Sequence, residues 1–350
     1  MLTTVRQKPW QKTQLWGLYK TQDGSKRSML TTVRQKPWQK TQLWGLYKTQ
    51  DGSPTTRMRK KVGLMKNLAK RVKRKFFGPG KDPFGNAPRG EPADYLQLFL
   101  EAKGYSFPEI DVLEQSAGHA AEPDWLNELA LHTQVVMKRS KLNWQHGRLL
   151  YSFLSQFIRS DASRERFGEA FTIFETGTAR GFSSICMAKA LIDAEVPGSI
   201  VTLDTLPHDY PMFWNCIDDH EGKKSRQNLL SQWPAETARI IFLQGTSRTV
   251  MPRLGLARIQ FAFLDAQHTL GDVLTEYRYV RDRQLPGDII FFDDVTPGHF
   301  DGVVDAVQSI ESEGLYNISR LEASPERGYA LAVRRLRGHD VPPQKGSSWG

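Results

Sequence analysis

At 350 residues the chain has room for about two domains, and 39 % apolar with 25 % charged residues supplies material for a buried core. No run of Ile, Leu, Val, Phe and Met exceeds four residues, which excludes a spanning helix of about 20 apolar residues. Two cysteines, Cys186 and Cys216, exclude a disulfide framework and a four-cysteine zinc site. No secretory leader pattern opens the chain, so the expected location is cytoplasmic.

The formal net charge of +10 is unevenly spread. Residues 1–81 hold 21 Lys and Arg against Asp23 and Asp51, a net of +19; the remaining 27 Lys and Arg face 36 Asp and Glu, a net of −9. A basic arm therefore precedes a mildly acidic body, and the overall charge says nothing about partners of that body. Within the arm, residues 1–25 recur unchanged at 29–53. Structural repeats drift and usually come in threes or more, so residues 1–56 read as a duplicated, disordered arm. Residues 57–77 place Val62, Met65, Leu68, Val72 and Phe76 at helical spacing, in a 57–81 stretch with eleven basic residues and no acid. Such a basic amphipathic helix suits an anionic membrane surface, nucleic-acid phosphate, or a partner subunit in a homo-oligomer. Eight Gly or Pro among residues 78–92 mark a linker.

From 93 to 160 the pattern is mainly helical, with Leu96, Phe99 and Leu100 on one face and Trp125, Leu129 and His132 on another. Residues 143–158 form a third amphipathic stretch. His132 and His146 read as packed or capping residues rather than ligand contacts. The 161–337 region changes period to strand, turn, helix, repeated. Strands are expected at 171–174, 199–203, 239–243, 260–264 and 288–292, with helices at 181–194 and 270–280. The 288–292 strand has no polar alternation, as a sheet covered on both faces requires. Two last strands, 315–322 and 327–335, are joined by four residues, too few for a helical crossover, so they pair as a hairpin with one antiparallel strand at the edge. Residues 338–350 read as a flexible tail. The fold class is α/β: a doubly wound, Rossmann-like, mostly parallel sheet with a C-terminal antiparallel hairpin, preceded by a helical segment and the basic arm.

The turn after the first strand runs Glu175-Thr-Gly177-Thr178-Ala-Arg-Gly181, an acid followed by glycines four apart. A dinucleotide fold uses G-x-G-x-x-G so that a diphosphate can approach backbone amides. Ala179 stands where the second of those glycines belongs. Asp204, ending the second strand, is placed to hold ribose hydroxyls. Asp265, Asp293 and Asp294 end two later strands, and such ends converge on one crevice in an open α/β sheet. Three gathered carboxylates need a compensating charge, which a hard divalent cation such as Mg²⁺ supplies. His268, three residues after Asp265, offers an imidazole there as general base.

In these residues the chain resembles the class I methyltransferases, and among them metal-dependent O-methyltransferases like catechol O-methyltransferase and the antibiotic-sugar O-methyltransferases. The resemblance spans roughly 171–335 and runs through residues 175–183, 245–254, 263–265 and 292–294. It implies S-adenosyl-L-methionine as cofactor, with Glu175, Gly177, Thr178 and Gly181 around the methionine portion, Asp204 on the ribose, and Ser247 and Arg248 near the adenine. It implies Mg²⁺ on Asp265, Asp293 and Asp294, His268 as base, and a small-molecule or sugar hydroxyl as acceptor. The catechol enzyme has asparagine where Asp294 stands. A terminal hairpin is the methyltransferase form of the sheet, whereas an all-parallel sheet is the dehydrogenase form. An NAD-dependent oxidoreductase is thus disfavoured by the hairpin and by Ala179, and a non-catalytic protein working through its basic arm is disfavoured by the intact acid set.

Overall fold

The computed structural model describes residues 83–160, 170–324 and 326–335. The arm at 1–56, the basic helix at 57–77, part of the linker and the 338–350 tail lie outside the described residues. Four helices come first: α1 (Pro92–Lys103), α2 (Pro108–Ala117), α3 (Pro123–Thr133) and α4 (Gln145–Arg159). The first three each start with proline at a position whose amide has no partner in the helix. Glu122 caps α3 by accepting from the amides of Asp124 and Trp125, at 3.0 and 2.5 Å. The sequence pattern marks α1, α3 and α4; α2 is an addition, ended by Gly118 at φ 72°.

The alternating part follows as β1 (Phe171–Thr176), α5 (Phe182–Asp193), β2 (Gly198–Asp204), β3 (Ile240–Gln244), β4 (Phe261–Leu264), α6 (Leu270–Arg281), β5 (Ile289–Phe292), α7 (Asp301–Ser312), β6 (Tyr316–Ser324) and β7 (Arg327–Arg334). Sheet order is β3-β2-β1-β4-β5-β7-β6. The first five strands are parallel, and β7 is antiparallel to both β5 and β6. The hairpin therefore forms as expected, but its antiparallel strand is not at the edge. β7 inserts between β5 and β6, because Tyr329, Ala330 and Ala332 are fully buried and need neighbours on both sides.

Alternation along each strand divides the core. Phe261, Phe263, Ile289 and Phe291 face the layer built from α1–α5, while Ala262, Leu264, Ile290 and Phe292 face α6 and α7. Burial of both faces explains why β4 and β5 lack polar positions. Among the described residues no helix is long and apolar enough to cross a membrane.

His132 and His146 are packed, as their sequence context suggests. His132 Nδ1 lies 2.7 Å from Asp218, tying α3 to the excursion after β2. His146, 7 % exposed, meets Phe182 edge-on at 4.9 Å and stacks on Phe263. Burial pushes its pKa down to about 4, against the pull of Asp293. The folded state thus prefers the neutral ring, so its contribution is complete above about pH 6.5 and is lost as pH falls toward 4. Replacing His146 with phenylalanine is expected to remove about 2–3 kcal/mol of acid sensitivity. Urea unfolding at pH 7 and pH 4.5 checks this; equal losses in both proteins would refute it.

Candidate active site

The strand order reverses between β1 and β4, one neighbour carrying the chain leftward through β2 and the other rightward through β5. Ligands in open α/β sheets bind outside the strand ends at such a point. Gly177 and Asp265 meet there, just beyond the bond from Asp265 N to Thr176 O (3.0 Å). Gly177 sits at φ 93°, and a Cβ on it would lie 1.9 Å from the Asp265 carbonyl oxygen. The glycine is required by the neighbouring strand's backbone, a reason that the spacing of the turn does not reveal.

Next to this contact is a cavity of about 390 Å³, lined in part by Gly177, Ala179, Asp204, Ser247, Arg248 and Asp265. Five residues expected from the sequence to lie around a cofactor or metal (Gly177, Asp204, Ser247, Arg248 and Asp265) thus share one wall system. Asp204 is fixed by two backbone amides, Ala179 N to Oδ2 (2.6 Å) and Leu206 N to Oδ1 (2.7 Å). That first bond closes the Ala179 amide to a dinucleotide's diphosphate and places a carboxylate where the phosphate charge would go. Arg226, 1 % exposed, lies 3.9 Å from Asp204 and donates to the Ala179 carbonyl.

Glu175, Thr178 and Gly181 do not line this cavity. Glu175 is fully buried and accepts from Ser183, Ser184 and Thr202, the last at 2.5 Å. Burial raises its pKa, opposed by those three hydroxyls. Thr178 bonds the Thr202 hydroxyl, and Gly181 caps α5 at φ 94°. These residues brace the turn from behind. Conversely, Glu276 of α6 lines the cavity without having been singled out. It accepts from Ser247 Oγ (2.5 Å) and Thr176 Oγ1 (2.7 Å), and burial raises its pKa. Nothing in the sequence singles it out, because it lies beside the apolar stripe of the 270–280 helix and belongs to no motif.

Asp265, His268 and Asp294 converge, with one potential ligand atom from each within 4.8 Å of the others. His268 Nε2 is 3.2 Å from Asp294 Oδ2 and 3.9 Å from Asp265 Oδ1. Its ring rests edge-on against Phe300 at 4.6 Å. Gly302 of α7 lets this happen, since a Cβ there would come within 2.4 Å of the His268 carbonyl. Asp293 points elsewhere: its Oδ1 accepts from the Asp294 amide at 2.7 Å and lies 3.5 Å from Arg327 Nη1. Asp294 adopts φ 58°, a left-handed geometry that turns its carboxylate back toward His268. Arg327 Nη1 donates to Asp294 Oδ1.

The electrostatics follow from this crowding. Burial first, then repulsion from Asp293 and Asp294, raises Asp265 well above the usual carboxylate range. Its side chain keeps 28 % of its exposure because it faces the crevice, but protein surrounds it beyond. Asp294 is raised to about 6 by burial and by Asp293, with Arg327, His268 and Lys138 pulling it down. Against burial, Asp293 and Asp294 hold Arg327 charged. A second cavity of about 730 Å³ is lined by Tyr105, Phe107, Lys141, Asn143, Phe300 and Arg327 among others. Phe300 and Arg327 connect it to the acid–imidazole cluster.

Residues 174–295 match the family model described as a methyltransferase domain. No curated protein sequence matches the chain. Among solved structures, the O-methyltransferase TomG of Streptomyces achromogenes, involved in tomaymycin synthesis and solved with S-adenosylmethionine, is 19 % identical; the alignment covers 62 % of this chain and 92 % of that one, with a TM-score of 0.43. An O-methyltransferase from Bacillus cereus solved with S-adenosylhomocysteine is 15 % identical over 68 % of this chain and 96 % of that one, with a TM-score of 0.40. The family match covers the glycine turn, Asp204, Asp265 and both strand-end acids, on a sheet whose last strands form the expected hairpin. Over residues 174–295 the chain is thus similar to a methyltransferase domain.

Proposed function

We propose that the chain is a divalent-metal-dependent O-methyltransferase acting on a hydroxyl of a small molecule. The observation that carries this reading is the convergence of Asp265, His268 and Asp294 beside the cofactor-sized cavity. Two carboxylates and an imidazole fit a divalent ion, and the nitrogen donor favours Mn²⁺ more than an all-oxygen set does. His268 is then a ligand rather than the base expected from the sequence, because its Nε2 is the atom facing both carboxylates. Asp293 becomes the residue that fixes Asp294, since its oxygen already holds the Asp294 amide.

Asp265, His268 and Asp294 would hold the ion, which would lower the pKa of a nearby hydroxyl so that it loses its proton to solvent near neutral pH. The protein's share of the work is alignment, worth about 7–11 kcal/mol in well-oriented reactions. Asp204, with its carboxylate locked by two amides, orients the ribose; Ser247, Arg248 and Glu276 border the adenine. The acceptor occupies the second cavity, between the faces of Tyr105, Phe107 and Phe300. Asn143 Oδ1 is buried there without a hydrogen-bond partner, so it is ready to receive a donor from the acceptor.

Calorimetric titration of the full chain tests this. S-adenosylmethionine is expected to bind at micromolar levels and NAD not at all, and one Mn²⁺ per chain is expected. Asp265→Asn and Asp294→Asn should each weaken the ion by about 10–100-fold. NAD binding without S-adenosylmethionine binding would sink the methyl-transfer reading. Unchanged Mn²⁺ affinity in both variants would sink the metal site alone.

A further inference from the structure

Arg327 is the first residue of β7, and its guanidinium reaches the carboxylates from the side opposite His268. Asp294 is shared: Oδ1 accepts from Arg327, and Oδ2 faces His268 at 3.2 Å. The arginine has little freedom to withdraw. Gly328 N donates to Thr296 Oγ1 at 2.9 Å, and Val295 N donates to Gly328 O at 2.8 Å. A Cβ at Gly328 would stand 2.3 Å from the Val295 carbonyl, so the start of β7 is pressed against the backbone that follows Asp294. A second positive charge, Lys138, lies close enough to Arg327, Asp293 and Asp294 to interact electrostatically with all three. Lys138 keeps its surface exposure although protein surrounds much of its ammonium. Its loop is held by Asn215, whose side chain bonds both Met137 N and Met137 O at 3.1 Å.

We propose that Arg327 is a built-in counter-cation that sets the affinity of the metal site, neutralising Asp293 and Asp294 when no ion is bound and weakening the ion when it arrives. The proposal rests on the reading that Asp265, His268 and Asp294 hold that ion. Two effects of opposite sign are in play. A hydrogen bond to a ligating carboxylate orients it and strengthens the metal site. A fixed positive charge across the same carboxylate repels a divalent ion, and a guanidinium cannot relieve this by losing its proton. Charge outweighs orientation here because Asp294 is oriented without Arg327. Its left-handed backbone, the Asp293 oxygen on its amide, and the bond from Thr296 N to its carbonyl (2.8 Å) fix the residue independently. Removing the guanidinium therefore takes away repulsion and leaves the carboxylate in place.

The test is titration of the full chain with Mn²⁺ alone, comparing wild type, Arg327→Gln, Arg327→Lys and Asp265→Asn, with melting temperature and circular dichroism for each. Arg327→Gln is expected to bind Mn²⁺ at least tenfold more tightly than wild type. Without metal it should melt lower than wild type, and saturating Mn²⁺ should close that gap. Arg327→Lys, whose point charge sits further from Asp294, should fall between the two. Equal or weaker binding in Arg327→Gln overturns the proposal and makes the arginine an orienting group. Should Arg327→Gln not fold without metal, Arg327→Lys carries the comparison under the same rule. Binding to wild type that Asp265→Asn removes, with no gain in either Arg327 variant, refutes the role of Arg327 alone. Absence of binding in every protein refutes the metal site and this proposal with it.

Discussion

Gly177→Ala is expected to cost about 3 kcal/mol of stability and to reduce S-adenosylmethionine affinity by at least about 100-fold. Part of the cost is conformational, since alanine at φ 93° is strained by about 1–3 kcal/mol. The rest comes from overlap, because the new Cβ would lie 1.9 Å from the Asp265 carbonyl oxygen. That oxygen belongs to backbone held by the β1–β4 ladder, so no side-chain rotation relieves the clash. Relief requires the end of β4 to move, which carries Asp265 away from His268 and opens the wall of the 390 Å³ cavity. Gly181→Ala is the control. Its φ is 94°, but its Cβ would meet the Leu230 side chain, with Cδ1 at 2.7 Å, and a leucine side chain can yield. Guanidinium unfolding and calorimetry on the two variants separate the causes. If Gly177→Ala is no worse than Gly181→Ala, the close approach to Asp265 is not what the glycine serves.

Much of this was legible in the sequence because periodicity reports what is buried on each face. The parallel strands announced themselves as short apolar runs, the one at 288–292 without polar alternation, and the four-residue link between the last two forced a hairpin. Strand-end acids were legible for a topological reason: Asp204 closes a strand, Asp265, Asp293 and Asp294 follow one, and parallel strands end on one side. Side-chain direction was not legible. Nothing in the order of residues separates Asp293, turned to Arg327 and the Asp294 amide, from Asp294, turned to His268. The left-handed backbone at Asp294 that makes the difference carries no glycine to betray it. Arg327 and Lys138 were invisible for another reason. They reach the crevice from β7 and from the α3–α4 loop, elements distant in sequence whose approach depends on β7 lying inside the sheet rather than at its edge. The glycine turn is legible as one motif, whereas in the fold Gly177 borders the cavity and Glu175, Thr178 and Gly181 brace it from behind.

That division makes Glu175 the second decisive residue. Its carboxylate lies wholly out of solvent and gathers three hydroxyls, from Ser183 and Ser184 in the first turn of α5 and from Thr202 of β2. It joins β1, β2 and α5 behind the cofactor turn, and its negative charge near the α5 N-terminus is favoured by the helix dipole. Glu175→Ala would leave three buried hydroxyls without that acceptor and a void beneath the turn. The expected cost is about 3–5 kcal/mol, from unpaired polar groups at roughly 1–3 kcal/mol each with partial relief by rotation. Glu175→Gln preserves shape, and serine hydroxyls can accept from its amide, so about 1 kcal/mol is expected. Cofactor affinity decides between bracing and direct contact. As a brace, Glu175 leaves affinity within about threefold in the folded Gln variant, because its side chain does not reach the cavity. A Gln variant of near-normal stability that binds S-adenosylmethionine ten times more weakly would instead mean that the carboxylate touches the cofactor, and that the turn rearranges when the cofactor enters.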